Sequence, residues 1–275
     1  MNTKLETTSL LTLALPFTRL FQLTDFHLRS IPTETLNGVY TDQSLKATLD
    51  RLEEETPTAQ DVFLLTGDLA QDPALETYAR MMALLKGLPS APYALPGNHD
   101  DFRLLPRDTR LQLDTRIPVG NWQILSLDST LDGSSKGYLR DDQLDFLEKT
   151  LAQYPDHFTL IAVHHPPIAT RSAWMDTMMI QNAEAFFERI QGHTRIKAIL
   201  CGHIHQSLED TAFGIPVLGC PSTAFQFEPR STGFSIDRKP PGFRMLELYE
   251  NGDWSTRVIF AEALPPGLDL ESKGY

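Results

Sequence analysis

The feature that most constrains the fold is an alternation of two apolar periods along the first two thirds of the chain. Short apolar runs with the length and β-branched content of buried strands recur at 20–23, 62–65, 124–127, 160–163 and 196–200. Between them, at 45–52, 75–85, 144–151 and 180–190, apolar residues repeat at helical spacing. This alternation predicts an α/β fold in which amphipathic helices cover a buried sheet.

Beyond about residue 206 the helical period disappears. Apolar runs at 215–218, 243–248 and 254–260 predict three strands, and the Glu250-Asn251-Gly252-Asp253 segment predicts a turn between the last two. We therefore expect an α/β region followed by a β-meander. Because the chain has no Gly/Ser run or charge block typical of a linker, we expect one domain over 1–275, with a core at about 19–260 and a loose tail at 262–275.

The amino-acid composition limits which kinds of molecule the protein is expected to bind and where it is expected to be located. With 24 Lys+Arg against 36 Asp+Glu, the formal net charge is −12, which counts against binding long nucleic acids, because their phosphates require a positive surface. Cys201 and Cys220 are too few for a disulfide framework in 275 residues. No run approaches the ~18 apolar residues of a membrane span. The apolar run at 10–15 is a poor signal peptide, since Glu6 spoils its basic end, so we expect a cytoplasmic protein without a membrane partner.

Polar side chains follow five of the predicted strands directly. Asp25 and His27 follow the first, Asp68 the second, Asn98, His99 and Asp100 the short run 93–95, His164 and His165 the run 160–163, and His203 and His205 the run 196–200. Six of the eight histidines fall in these clusters. Because ligands gather at the carboxyl ends of strands in open α/β sheets, we expect the five clusters to converge.

The residue types in these clusters indicate a metal site. Aspartate, histidine and asparagine without cysteine suit manganese, iron, zinc or cobalt. Ligands separated by one residue, as in Asp25-x-His27 and His203-x-His205, point to the same side when extended. Asp68 is the natural carboxylate to bridge two ions, and two metals about 3.5 to 4 Å apart can activate a water and stabilise charge on a phosphoryl group.

Each cluster also has a structural interpretation when taken alone. An Asp-x-His segment can be a loop, Gly67-Asp68 an ordinary turn, and Gly97-Asn98 a turn with asparagine in a left-handed conformation. A histidine pair at the end of a strand has little structural use. The joint occurrence of five such clusters therefore favours the metal site.

The ordered motifs Asp25-x-His27, Gly67-Asp68, Gly97-Asn98-His99-Asp100, His164-x-Pro166 and Gly202-His203-x-His205 resemble those of the calcineurin-like metallophosphoesterases over residues 21–206. The resemblance implies a four-layer α/β/β/α sandwich with a dimetal site at the carboxyl ends of the strands. It assigns one metal to Asp25, His27, Asp68 and His205, and the other to Asp68, Asn98, His164 and His203. Iron or manganese are the expected ions, with zinc or cobalt as alternatives. His165 is expected to be a neighbour of the site, since adjacent strand residues point to opposite faces.

Further segments are similar to those of the bacterial class III 3′,5′-cyclic-AMP phosphodiesterases: Thr66–Asp72, Cys201–Gln206, Pro221–Thr223 with Gln226-Phe227, Pro241–Arg244 and the terminal Gly274-Tyr275. This similarity implies hydrolysis of cyclic AMP to 5′-AMP by a hydroxide that bridges the two metals, with Asp68 as the bridging carboxylate. His99 would be the general acid, oriented by Asp100 or a nearby carboxylate, or else an electrostatic stabiliser of the phosphate.

Substrate contacts are expected from His27, Asn98, His99, His205 and Thr223. Thr223, Phe225, Gln226 and Phe227 could line a purine pocket, or the aromatic residues could pack against the C-terminal strands.

Other functions stay open at this stage. The same dimetal core could act on another small phosphoester, such as a glycerophosphodiester or a nucleotide polyphosphate, because fold and metals do not determine the substrate. A non-catalytic scaffold would have no reason to keep His27, Asn98 and His205 together. The charge of −12 counts against a nuclease. Cyclic AMP is the expected partner, and a homodimer is left open.

Overall fold

The computed structural model describes residues 16–274, so the apolar run at 10–15 and Tyr275 lie outside the described residues. The strands are β1 Phe17–Leu23, β2 Val62–Leu65, β3 Tyr93–Ala94, β4 Arg116–Val119, β5 Trp122–Ser126, β6 Phe158–Val163, β7 Ile196–Cys201, β8 Glu209–Ala212, β9 Ile215–Gly219, β10 Gly242–Tyr249 and β11 Trp254–Phe260. The helices are α1 Thr41–Glu53, α2 Leu75–Leu84, α3 Asp141–Gln153 and α4 Ala183–Ile190. The α/β class predicted from the apolar periods is confirmed.

The strands form two mixed sheets. One has five strands in the order β11-β10-β1-β2-β3, and the other has six in the order β4-β5-β6-β7-β9-β8. The first three strands of the chain are parallel to one another, as are β5, β6, β7 and β9. Parallel strands place their carboxyl ends at one edge of a sheet, where the polar clusters follow.

Alternate residues of the central strands face different layers. Leu20 of β1 and Leu160 of β6 belong to a buried cluster between the two sheets, whereas the adjacent Phe21 and Ile161 belong to clusters on the outer faces. Helices α1 and α2 cover the outer face of the five-stranded sheet, and α3 and α4 cover that of the six-stranded sheet. The order of layers is therefore α/β/β/α, as the resemblance implies.

The predicted C-terminal β-meander is wrong. Strands β8 and β9 form a hairpin that extends the six-stranded sheet, whereas β10 and β11 form a hairpin that extends the five-stranded sheet through β1. A turn between two apolar runs predicts their antiparallel pairing, but it does not say which sheet the hairpin joins. Strands β4 and β8 were not predicted, because Pro118 interrupts the first and polar residues dominate the second.

The predicted apolar stripe of α2 is shifted in the structure. Leu75, where the predicted apolar repeat at 75–85 begins, is 52% exposed at the first turn, whereas Met81 is buried. Tyr78, Met81 and Leu85 form the buried face, which also has helical spacing. Two overlapping stripes in one helix cannot be separated by spacing alone.

The segment after β11 lies against the loop before α1. The backbone N–H of Asp269 donates to the carbonyl of Asn37 over 2.9 Å, and the hydroxyl of Ser272 donates to the side-chain oxygen of Asn37 over 2.8 Å. Leu268 and Leu270 pack against the cluster under α3 and α4. This segment, expected to be loose, is thus held by polar and apolar contacts.

Candidate metal centre

The clusters that follow the strands converge between the carboxyl ends of the two sheets. Nε2 of His164, after β6, lies 3.2 Å from Oδ2 of Asp68, after β2. Nε2 of His205, after β7, lies 3.4 Å from Oδ1 of Asp25 and 3.0 Å from Nε2 of His27, both after β1. The structure therefore brings together side chains that are up to 180 residues apart in the chain.

The backbone at these residues is in an uncommon conformation. Five non-glycine residues have left-handed φ angles: Asp25 at 55°, His27 at 48°, Asp68 at 52°, His203 at 66° and His205 at 48°. Such residues cost of order 1–3 kcal/mol each and persist where the surrounding structure holds them, which is a common property of functional sites. The Asp-x-His and His-x-His pairs are therefore tight turns rather than the extended segments that the spacing suggested.

Hydrogen bonds between adjacent loops hold these turns in place. The N–H of Asp25 donates to the carbonyl of Gly67, and the N–H of His27 donates to the carbonyl of Asp68, both over 2.9 Å. Gly97 packs directly against Asp68, where a Cβ atom would overlap the backbone nitrogen and a side-chain oxygen of that residue. Glycine is needed at position 97 because the two loops approach so closely.

Burial and neighbouring charges together determine the charge state of four of these groups. Loss of solvent lowers the pKa of His27 to about 3 and holds that of His203 well below its usual value. Burial acts in the same direction on His164, but the carboxylate of Asp68 prevails and raises its pKa to about 9. Burial alone would raise the pKa of Asp68, but the positive charge of His164 holds it well below the usual range. A cation between Asp68 and His164 would replace the proton that they share.

Hydrogen bonds made by Nδ1 orient the rings of three of the histidines. Nδ1–H of His27 donates to the side-chain oxygen of Gln71 over 2.8 Å, and Nδ1–H of His164 donates to the carbonyl of Thr66 over 2.7 Å. Nδ1–H of His205 donates to the carbonyl of Phe225 over 2.8 Å. In each ring the Nε2 atom is left to face the cluster, which is the arrangement typical of metal-binding histidines.

The donor set fits metal ions. Four groups of three side chains have ligand atoms within 4.8 Å of one another: Asp25, His27 and His205; Asp25, Asp68 and His164; His27, Asp68 and His99; and His164, His165 and His203. Among residues 16–274, the buried Oδ1 of Asn98 and Nε2 of His203 have no hydrogen-bond partner. Buried polar atoms normally have one, so a metal ion would satisfy them. Both carboxylates, Asp25 and Asp68, belong to two of the groups.

His165 lies in the cluster, and the expectation that it points to the opposite face is wrong. Its ring centroid is 4.7 Å from that of His203 and 4.9 Å from that of His164. The two adjacent histidines follow the end of β6 in a bend, where the alternation of strand residues no longer holds. Nδ1 of His165 lies 2.8 Å from the hydroxyl of Ser129, and its Nε2 is buried.

His99 lies half-buried at the edge of the cluster. Its backbone N–H donates to Oδ1 of Asp68 over 2.9 Å, and its ring meets the His27 ring edge-on with centroids 5.1 Å apart. The carboxylate grouped with its ring is that of Asp68.

The carboxylate of Asp100, expected to orient His99, is instead directed toward the backbone behind the turn. It accepts hydrogen bonds from the N–H groups of Leu69, Ala70 and Gly97 and from the hydroxyl of Tyr78, all at 3.0 to 3.1 Å. Burial and the charge of Asp68 raise its pKa to about 6. Asp100 therefore organises the turn that carries Asn98 and His99.

The aromatic residues of the segment 223–227, for which a purine pocket or packing was left open, pack behind the metal cluster. Phe227 stacks on the His205 ring with centroids 4.1 Å apart, and both Phe225 and Phe227 are fully buried. The amide of Gln226 pairs with the backbone of Ser222. Thr223 is buried, and its N–H donates to the carbonyl of Thr24. Packing of this segment, the alternative left open above, is what these contacts favour.

A family model described as calcineurin-like phosphoesterase matches residues 18–207, which include every residue of the cluster. The chain belongs to the calcineurin-like phosphoesterase family. It is therefore a phosphoester hydrolase, and this family uses a dimetal centre. In residues 16–274, no helix is long and apolar enough to cross a membrane.

Relatives of this calcineurin-like phosphoesterase match it along most of its length. It is 38% identical to a 3′,5′-cyclic-nucleotide phosphodiesterase of Nostoc sp., covering 91% of this chain and 94% of the relative. It is 36% identical to the 3′,5′-cyclic adenosine monophosphate phosphodiesterase CpdA of Escherichia coli and 35% identical to that of Pseudomonas aeruginosa. The match to E. coli covers 94% of both chains, and that to P. aeruginosa covers 93% of this chain and 94% of the relative.

Solved structures share the fold at low sequence identity. A dimetal phosphatase from Danio rerio aligns with a TM-score of 0.59 and 14% identity, covering 90% of this chain and all of that one. A purple acid phosphatase from yellow lupin aligns with a TM-score of 0.60 and 14% identity, covering 92% of this chain and 52% of that one.

Proposed function

We propose that this protein hydrolyses 3′,5′-cyclic AMP to 5′-AMP at the centre built around Asp68. The observation that carries the proposal is the convergence of five strand-end clusters on one buried set of oxygen and nitrogen donors. Relatives that match more than nine tenths of the chain are named 3′,5′-cyclic-nucleotide phosphodiesterase or, more narrowly, 3′,5′-cyclic adenosine monophosphate phosphodiesterase. The free, buried thiols of Cys201 and Cys220 support a cytoplasmic location, which we also propose.

Seven side chains are proposed to hold two metal ions. Asp25, His27, Asp68 and His205 would bind one ion, and Asp68, Asn98, His164 and His203 would bind the other. The unpartnered oxygen of Asn98 and nitrogen of His203 support their place in this set. Iron or manganese are proposed, and zinc or cobalt would also suit these ligands.

Two cations at this site would supply a water activated for attack on phosphorus and positive charge for the phosphoryl oxygens. Asp25 and Asp68 contribute a formal charge of −2, so two divalent cations leave the site positive within a protein whose net charge is −12. The site can therefore bind one phosphodiester although the protein as a whole repels long polyanions.

His99 is proposed to donate a proton to the leaving 3′ oxygen. Its half-buried ring lies at the edge of the cluster, and the bond from its N–H to Asp68 fixes its backbone beside the bridging carboxylate. A proton donor must reach the leaving oxygen from the rim of the site, which is where His99 lies. His27, Asn98 and His205 would contact the phosphate from within the cluster. Thr223, on the loop behind the cluster, is also proposed as a substrate contact.

A substrate panel tests the proposal. The manganese-loaded protein would be given cyclic AMP, cyclic GMP, bis(p-nitrophenyl) phosphate, a glycerophosphodiester and a dinucleotide polyphosphate. We expect the highest kcat/KM with cyclic AMP. Turnover of cyclic AMP at the background rate, with hydrolysis of another member of the panel, would contradict the proposal.

A further inference from the structure

A cavity of about 280 Å³ lies beside the metal cluster, and His205 forms part of its wall. Its other walls come from the loop after β6, the start of β8 and the loop between β9 and β10. One proposed metal ligand therefore borders both the metal cluster and the cavity. A molecule whose phosphate lies at the metals could place its remaining atoms here.

Most charged side chains that line the cavity are paired with an opposite charge. They are Arg171, Arg230 and Lys239 on the positive side and Glu209, Asp210 and Asp237 on the negative side. Arg171 lies 3.1 Å from Asp210, and Lys239 lies 3.5 Å from Asp237. Glu209 is paired with Arg244 over 2.9 Å. A second phosphate would need an excess of positive charge, whereas this lining suits an uncharged polar group. The base and sugar of a cyclic nucleotide are such a group.

The side chain of Gln206 is the feature of this cavity that most indicates a binding site. It follows His205 directly, lines the cavity and is only 6% exposed. Its Nε2 atom is buried and makes no hydrogen bond within the part of the chain that the structure describes. Gln226, the other glutamine in the wall, has its amide satisfied by Ser222. Gln206 is thus a buried amide whose N–H donors are unused, and a ligand can supply the missing acceptor.

A primary amide matches adenine better than guanine. The glutamine side chain offers an N–H donor and a carbonyl acceptor side by side, and adenine presents an N7 acceptor next to its N6 amino donor. The same edge of guanine presents two acceptors, N7 and O6, which an amide cannot pair with at both atoms. A glutamine in this position can therefore discriminate between the two purines.

We propose that this cavity is the base subsite and that Gln206 selects adenine over guanine. The inference rests on the proposed function, because it takes the phosphate of the nucleotide to lie at the dimetal centre. Discrimination by one bidentate pair corresponds to about tenfold or more in affinity.

The experiment measures binding of 5′-AMP and 5′-GMP to the manganese-loaded protein by calorimetry. We expect the unaltered protein to bind 5′-AMP about tenfold more tightly than 5′-GMP. Gln206→Leu should reduce this ratio to about twofold or less, since a leucine of similar size cannot pair with either base. Gln153→Leu is the matched control: Gln153 is exposed at the end of α3, before β6 begins, and the variant should keep the original ratio.

A second variant is designed to obstruct the cavity by a substitution at an exposed residue of its wall. Ser207 is exposed and lines the cavity, so Ser207→Trp should obstruct it without disturbing the core. Both nucleotides should then bind about tenfold more weakly, while inorganic phosphate, which needs only the metals, should bind as before.

The outcomes separate the two proposals. Equal affinity of the unaltered protein for the two nucleotides, or an unchanged preference in folded Gln206→Leu, would overturn the role of Gln206. Unchanged nucleotide binding by Ser207→Trp would place the base outside this cavity. A protein that shows the adenine preference but does not hydrolyse cyclic AMP would contradict the proposed function while leaving the base subsite intact.

Discussion

Removal of the hydroxyl group of Tyr78 should loosen the turn that carries Asn98 and His99. This buried hydroxyl donates to Oδ1 of Asp100 over 3.0 Å and accepts from the backbone N–H of Asp101 over 2.9 Å. It therefore links α2 to two consecutive residues behind the metal cluster. Phenylalanine keeps the ring and its edge-on contact with Phe102, so Tyr78→Phe removes the two hydrogen bonds and little else.

The magnitude follows from these two bonds. A hydrogen bond to a carboxylate contributes about 1.5–3 kcal/mol, and a buried N–H left without an acceptor costs about 1 kcal/mol or more. Asp100 keeps its three backbone donors, so the carboxylate is not left without partners. Tyr78→Phe should therefore lower the free energy of unfolding by about 2–4 kcal/mol. For a chain of this length, that corresponds to a fall in Tm of roughly 5–15 °C.

Equilibrium unfolding in urea with a chelator present is the suitable assay, because bound metal would add its own stabilisation. Tyr138→Phe is the control, since the Tyr138 side chain is exposed at 37% and its hydroxyl makes no hydrogen bond within residues 16–274. It should change stability by less than about 0.5 kcal/mol. A loss of less than about 0.5 kcal/mol in Tyr78→Phe as well would refute the role assigned to this hydroxyl.

Three further substitutions test separate parts of the site. Asn98→Ala should lose one of two bound metals and most turnover while remaining folded, which metal analysis and circular dichroism would show; full metal content would remove Asn98 from the ligand set. His99→Ala should keep both metals and lose more rate with cyclic AMP than with bis(p-nitrophenyl) phosphate, whose leaving group needs no proton, whereas equal losses would favour an electrostatic role. Arg244→Met should cost about 3 kcal/mol in urea unfolding, because the fully buried guanidinium donates to the carbonyls of Leu208 and Gly219 across the two sheets, and a loss below about 1 kcal/mol would contradict that role.

Much of the fold could be predicted because strand and helix periods differ. The runs at 20–23 and 160–163 lie within β1 and β6, and the stripe of Leu144, Leu147 and Leu151 is buried in α3. The assignment of the C-terminal hairpins to separate sheets could not be predicted, because it depends on contacts such as β9 with β7 and β10 with β1 that are distant in sequence. Local propensity carries no information about such pairings.

The composition of the candidate site could be predicted better than its local geometry. Placement of Asp25, Asp68 and His203 at strand ends was sufficient to expect their convergence. Their left-handed φ angles were not expected, because they arise from bonds between loops, such as Asp25 to Gly67, and not from local sequence. The orientations of the His165 and Asp100 side chains were wrongly predicted for the same reason. That of His165 depends on where β6 ends, and that of Asp100 depends on hydrogen bonds to the backbone behind its turn.

The proposed conversion of cyclic AMP to 5′-AMP at the dimetal centre can be tested by phosphorus NMR of one reaction. Cyclic AMP would be incubated with chelated protein, manganese would then be added to the same sample, and aliquots would be freed of manganese before each spectrum, because this paramagnetic ion broadens phosphorus signals. We predict no change before the addition, and afterwards conversion of the cyclic phosphodiester signal to that of 5′-AMP, with no 3′-AMP. Persistence of cyclic AMP after manganese binds, or appearance of 3′-AMP as the main product, would contradict it.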